Sequence, residues 1–271
     1  MTRIHAKAAL LAALLLGCEA GHEPAPRPQS PAAPPRPEPA GPIEVHSEAG
    51  TLEGRFSPPA GHSRIPAGER SFAAFLRALP LKAAQARVLY FDGREKTKDV
   101  YVAVVDLDVG DRDLQQCADA VIRLRAEYLF KEGLYPAIRF DFTNGFQADY
   151  SRWRAGDRIA VKGNTVRWVK RAAFSADYQT FRSYLDMVFT YAGTLSLSRE
   201  LAPAEHTEMR IGDVFIQGGS PGHCVLVVDM AERRETGERV FMLAQGYMPA
   251  QHIQILRNPA LPLLSPWYSA E

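Results

Sequence analysis

Cys117 and His223 are the two residues whose types, order and surroundings could carry a reaction. Cys117 lies in Asp113-Leu114-Gln115-Gln116-Cys117-Ala118-Asp119-Ala120, expected to open a long helix capped by Asp111 or Asp113 and running to about Lys131. A thiol in a helix's first turn faces unpaired N–H groups and the positive end of the macrodipole. Both favour the thiolate, which is the nucleophilic form. The same spacing also fits a plain core role, since Cys117, Val121, Leu124 and Tyr128 would share one apolar face.

His223 follows the glycine-rich loop Gly218-Gly219-Ser220-Pro221-Gly222 and opens a valine-rich strand. An imidazole at a strand mouth can meet a helix start, take the thiol proton and later give one to a leaving group. A third polar group is then needed to fix the ring's tautomer. Gln245, ending the next strand, is the first candidate, and Asp229, six residues along His223's own strand, is the alternative. Gln116, with Gln115 beside it, could donate to an oxyanion, and Tyr247 could line a cleft. Cys224 competes: a Cys117–Cys224 disulfide is permissible in an exported protein. Alternation along a strand would turn His223 and Cys224 opposite ways, so either the dyad or the bridge is expected, not both.

The elements that must position these groups read as α+β. Thr51–Gly68 looks irregular, and Phe72–Leu79 a short helix stopped by Pro80. Arg87–Phe91 and Val100–Asp106 look like a hairpin through Asp92-Gly93. Strands are expected at 138–142, 146–150 and around Ile159 and Val166, and a helix at Tyr178–Ala192. The last third reads as sheet: Gly212–Gln217, His223–Met230 and Arg239–Gln245. Arg123, Arg125 and Glu127 read as a solvated face or local salt-bridge cluster, and Trp153, Tyr191, Tyr247 and Trp267 as core or rim aromatics.

The N-terminus adds a destination. Arg3 and Lys7 precede the uncharged run Ala8–Gly17, which ends at Leu15-Leu16-Gly17-Cys18. The run is too short to cross a hydrocarbon core of about 30 Å but fits a signal peptide. Leu-Leu-Gly-Cys resembles the bacterial lipobox, which implies acylation at Cys18. Nine prolines between Glu23 and Pro42 suit an extended tether of about 3.1 Å per residue. The expected organisation is residues 1–18 signal and lipobox, 19–50 tether, and 51–271 one globular domain, held at the membrane and facing the periplasm. Glu19, rather than aspartate, after the cysteine favours the outer membrane. Lys+Arg (32) and Asp+Glu (31) nearly cancel and no long basic run occurs, so nucleic acid is not an expected partner. No metal-ligand spacing or nucleotide fingerprint is present, and no cofactor is expected.

Two resemblances follow. Gly212-Asp213-Val214-Phe215-Ile216, then Gly222-His223 and a valine-rich strand, resembles the second half of NlpC-type papain-like hydrolases. That likeness implies a Cys-helix-then-sheet core, chain order Cys117, His223, Gln245, and cleavage of envelope amides such as those of peptidoglycan. The sequence departs from that family's Asp-Cys-Ser-Gly start, reading Gln116-Cys117-Ala118-Asp119. Nearly the whole domain also resembles the domain of unknown function 4846 family of bacterial lipoproteins. The likeness runs through Asp113–Phe130, Phe142–Trp153, Val188–Leu201, Gly212–Asp229, Leu243–Ile255 and Ser265–Tyr268. A non-catalytic envelope module of the same fold is the competing expectation.

Overall fold

A computed structural model describes residues 3–5 and 42–270; Cys18, its lipobox and the stretch from Glu19 to Gly41 lie outside them. Packing begins before Thr51, because Ile43 packs against the core. Ile43 N–H donates to the Leu263 carbonyl, and Val45 bridges to Phe56.

The architecture is a nine-stranded, mostly antiparallel sheet with helices against one face. Its spine is the pair His223–Arg233 (β10) and Arg239–Gln245 (β11). Both strands are rich in β-branched and apolar residues, which suits burial on two faces. At one end they are flanked by Val214–Gln217 (β9) and Gln254–Leu256 (β12), and Tyr101–Val104 (β3) extends the sheet beyond β12. At the other end lie His62–Arg64 (β2) and Trp267–Ser269 (β13). Beyond β9 the edge continues, in parallel, through Arg3–His5 (β1) and Ala202–Ala204 (β8). Two further hairpins stand apart: Arg139–Asp141 (β4) with Gln147–Asp149 (β5), and Asp157–Lys162 (β6) with Thr165–Lys170 (β7).

Cys117–Lys131 (α3) packs across β10 and β11. Ala118, Ala120 and Ala126 are buried on it, and their small side chains allow a close approach to the sheet. Tyr178–Tyr191 (α5) buries Phe181, Tyr184, Leu185 and Val188, a helical stripe set off by the Asp177 cap. Leu52–Arg55 (α1), Phe72–Arg77 (α2), Tyr150–Arg154 (α4) and Thr194–Glu200 (α6) are short. Among the described residues no helix is long and apolar enough to cross a membrane.

Several expectations are corrected. The 51–68 stretch contains α1 and β2. The hairpin between Arg87–Phe91 and Val100–Asp106 does not form: β3 pairs with β12, while Leu89 bridges to Glu95 and Tyr90 to Gln251. The Asp92-Gly93 turn therefore closes a smaller loop. Neither Asp111 nor Asp113 caps α3; Gln116 is its N-cap, and its backbone N–H donates to Asp119 Oδ2 at 3.0 Å. Of the two readings of Arg123 and Glu127, the local salt-bridge cluster holds and the solvated face does not: Arg123 is buried and bonded to Glu127, Gln115, the Asp108 carbonyl and Tyr178.

Asp229 lies far along β10, fully buried, with one oxygen on Arg64 Nε at 2.7 Å and the other on Arg77 Nε at 2.5 Å. A bulge between Val227 and Asp229 shifts the register. One extra residue reverses the alternation, so the spacing of six does not keep Asp229 on His223's face. Removing one partner of a buried ion pair leaves a charge without compensation. Asp229→Ala is therefore expected to destabilise the domain by about 3–5 kcal/mol in urea unfolding; a change below about 1 kcal/mol would contradict a structural role for this cluster.

Candidate active site

The site forms where the first turn of α3 meets the β9–β10–β11–β12 end of the sheet. Cys117 is the first residue of α3, 8 % exposed. Three contacts fix that helix start. Asp119 binds the Gln116 N–H from inside the turn. Asp113 Oδ1 accepts from the Ala250 N–H at 2.6 Å and from Gln116 Nε2 at 3.0 Å, tying the start of α3 to the chain after β11. Gly246 completes the fit, since a Cβ there would stand 2.6 Å from the Gln116 carbonyl oxygen and 2.9 Å from Ala120 Cβ.

His223 is delivered by the glycine loop. A Cβ on Gly222 would meet Thr194 Oγ1 at 2.2 Å, so this residue type lets the loop lie on the start of α6 before β10 begins. The His223 Nε2 lies 2.8 Å from Gln245 Oε1, which leaves Nδ1 as the nitrogen available to Cys117. The Tyr247 ring meets the imidazole edge-on at 5.2 Å between centroids. Cys117, His223, Gln245 and Tyr247 are thus brought together. Gln116 Nε2 is engaged by Asp113 and Gln115 Oε1 by Arg123, while Gln115 Nε2 is buried without a hydrogen-bond partner among the described residues. Asp229 is not part of the cluster.

Alternation predicted that His223 and Cys224 would exclude one another, yet both side chains lie close enough to the Cys117 sulfur to lower its pKa. Cys224 reaches it from the helix-facing side of β10, within the main core. His223 occupies the strand's first position, where its bond to Gln245 directs the ring. Both cysteines are free thiols.

The electrostatics follow from these contacts. The Cys117 thiol is brought down to about 4, chiefly by the hydrogen bond from Cys224. Burial opposes this, while the His223 bond and charge and the Ala118 N–H assist. The Cys224 thiol, donor to that thiolate and itself buried, is pushed well above its ordinary value. Burial pulls His223 down, but its bonds to Cys117 and Gln245 prevail and leave it above 6.5. Asp119 is raised to about 8 by burial, with the neighbouring Cys117 charge adding to the effect. At neutral pH the helix start therefore holds one anion, on sulfur, beside an imidazole whose protonated form that anion favours. Such a pair attacks carbonyl carbon and protonates a departing amine.

Sequence reasoning missed Cys224 as a donor, Gly246 as the close-approach residue, and Lys96. The Lys96 ammonium sits beside the Tyr247 ring, 5.6 Å from its centroid, and its charge is felt at His223. Gly246 was legible in principle as a small residue between two candidates. Lys96 stands in the polar run Arg94-Glu95-Lys96-Thr97-Lys98-Asp99, where nothing marks it out.

A mixed α+β domain with a partly buried Cys–His–Gln cluster is the class that fold and site define. The chain belongs to the family described as domain of unknown function (4846), whose model matches residues 52–271. No curated protein and no solved structure matches it.

The thiolate is lost only as pH falls through the depressed value. Alkylation of Cys117 by iodoacetamide is therefore expected to hold a near-constant rate down to about pH 5 and to drop as pH approaches about 4. Cys224→Ala removes the strongest stabilising contact and should move that acid limb up by about one to two pH units. Cys224→Ser keeps a donor and should move it less. A wild-type rate already falling tenfold per pH unit below about pH 8, as for an ordinary thiol, would contradict the assignment.

Proposed function

We propose that this protein is a papain-like, NlpC-type cysteine hydrolase of the cell envelope, cleaving amide bonds in peptidoglycan stem peptides. The observation that carries the reading is the Cys117–His223–Gln245 contact set, in the chain order that the NlpC resemblance implies. In this mechanism the Cys117 sulfur bonds to the amide carbon and the carbonyl electrons move onto oxygen. First-turn N–H groups of α3 stabilise that oxyanion. The C–N bond then breaks as His223 Nδ1 delivers its proton to the amine, leaving a thioester. His223, now neutral, takes a proton from water. The hydroxide adds to the thioester carbon, and collapse releases the acid and regenerates the thiolate. Gln245 accepts from His223 Nε2–H throughout and keeps Nδ1 turned to the sulfur.

Purified domain and its Cys117→Ala variant, incubated with isolated sacculi, should differ: soluble muropeptides appear with the former and stay at background with the latter. Equal background release from both would remove the hydrolase reading. The burial of Cys117 favours a second reading, a non-catalytic module in which the same sulfur is part of the core. An unmodified Cys117 after prolonged treatment of native protein with iodoacetamide would support that one.

The lipobox at Leu15–Cys18 and the prolines after it support a lipid anchor on Cys18, with the domain carried into the periplasm from the outer membrane. Cys18→Ser is expected to move the protein from the membrane fraction to the soluble one. Unchanged membrane association would count against the anchor.

A further inference from the structure

Lys96 lies beside the site yet has no part in the cysteine chemistry. It is 5 % exposed, and a buried ammonium is costly unless solvated or paired. Among the described residues no carboxylate pairs with it. Its Nζ donates instead to Gln251 Oε1 at 2.8 Å and Gln254 Oε1 at 3.2 Å, and Gln254 Nε2 in turn donates to Gln251 Oε1 at 3.1 Å. Burial, with Lys98 adding like charge, pushes its pKa down to about 8, so it stays cationic at neutral pH.

Two neutral amides hold this charge in place without cancelling it. An ammonium has three donors, and the glutamines engage two. Nζ also faces the Tyr247 ring, which is itself 45 % exposed and meets His223. The charge is thus focused at the margin of the reacting centre, one aromatic ring from the imidazole.

We propose that Lys96 recognises a carboxylate on the substrate, so that the site selects amides whose neighbouring residue carries a free carboxylate. This rests on the cysteine-hydrolase reading and narrows it to acidic peptides. The Tyr247 ring would form the wall along which that carboxylate reaches Nζ. Gln251 and Gln254 are positioning residues that hold Nζ in place.

Paired alkylating reagents test the charge without needing the true substrate. Iodoacetate and iodoacetamide react with Cys117 in the same way: the sulfur displaces iodide, an S–C bond forms and the C–I bond breaks. They differ in carrying a carboxylate or an amide. The ratio of their rates is expected to fall about three- to tenfold in Lys96→Gln, for a unit charge acting at close range through protein, and to be retained in Lys96→Arg. An unchanged ratio in folded Lys96→Gln, checked by circular dichroism, overturns the proposal while leaving the nucleophile intact. Should that variant not fold, wild-type protein gives the answer. An N-acetylated dipeptide with a free C-terminal carboxylate should protect Cys117 from iodoacetamide better than its C-terminal amide, and equal protection overturns the proposal. If neither reagent modifies wild-type Cys117, the hydrolase reading fails and this proposal with it.

Discussion

A negative charge on the Cys117 sulfur, buried at the start of α3, is the constraint around which this end of the molecule is arranged. A charge taken out of water needs compensation. Here it comes from three directions: the Cys224 thiol, the His223 imidazole and the Ala118 N–H. The first two are neighbours in sequence, so a single strand, β10, supplies them at its mouth. Their usefulness depends on where α3 lands on that strand. Asp113 and Gly246 set that landing, one by bonding the Ala250 N–H and the other by offering no side chain where Gln116 approaches. Asp119 completes the arrangement by remaining neutral, which permits it to brace the Gln116 N–H without adding a second anion.

The two ends of the β10–β11 pair handle buried charge in opposite ways. Around Asp229 both carboxylate oxygens are met by arginines at hydrogen-bond distance, and the cluster is saturated. Around Cys117 the sulfur is held by weak, replaceable donors, and a lysine nearby is met by glutamine amides and the Tyr247 ring rather than by a carboxylate. Saturated networks rigidify a core, whereas unsaturated ones can accept a substrate's charge. Under the proposed function, this contrast assigns the chemistry to the Cys117 end and leaves the Asp229 end structural.

Much of the frame was legible in the sequence because its signals are local. The run from Arg239 to Gln245 is apolar and β-rich between turn residues, and it forms a strand over that range. The stripe Phe181, Tyr184, Leu185, Val188 specifies α5 by its period. What was lost depends on distant partners. Tyr101–Val104 is recognisable as a strand, but its partner lies about 150 residues later, at Gln254–Leu256; the nearer run at 87–91 offered a false match. The bulge after Val227 leaves no mark in composition, yet it decides which face Asp229 takes. At the site, residue types and chain order pointed to Cys117, His223 and Gln245, which the fold places side by side. The rule of alternating faces, sound within a sheet, misjudged Cys224 because His223 stands at the strand's first position, where a single bond to Gln245 sets the ring's direction. Lys96 was invisible for a different reason: its burial is produced by Gln251, Gln254 and Tyr247, none of which is near it in sequence.

The central claim is an ion pair between Cys117 and His223, and the protonation of the His223 ring reports on it most directly. Nitrogen NMR of the imidazole through a pH titration should find the wild-type ring keeping both protons to a higher pH than its ordinary 6.5, and replacing the thiolate by Cys117→Ser should lower that midpoint. A wild-type ring that titrates at or below 6.5, or a midpoint unmoved by Cys117→Ser, would contradict the account.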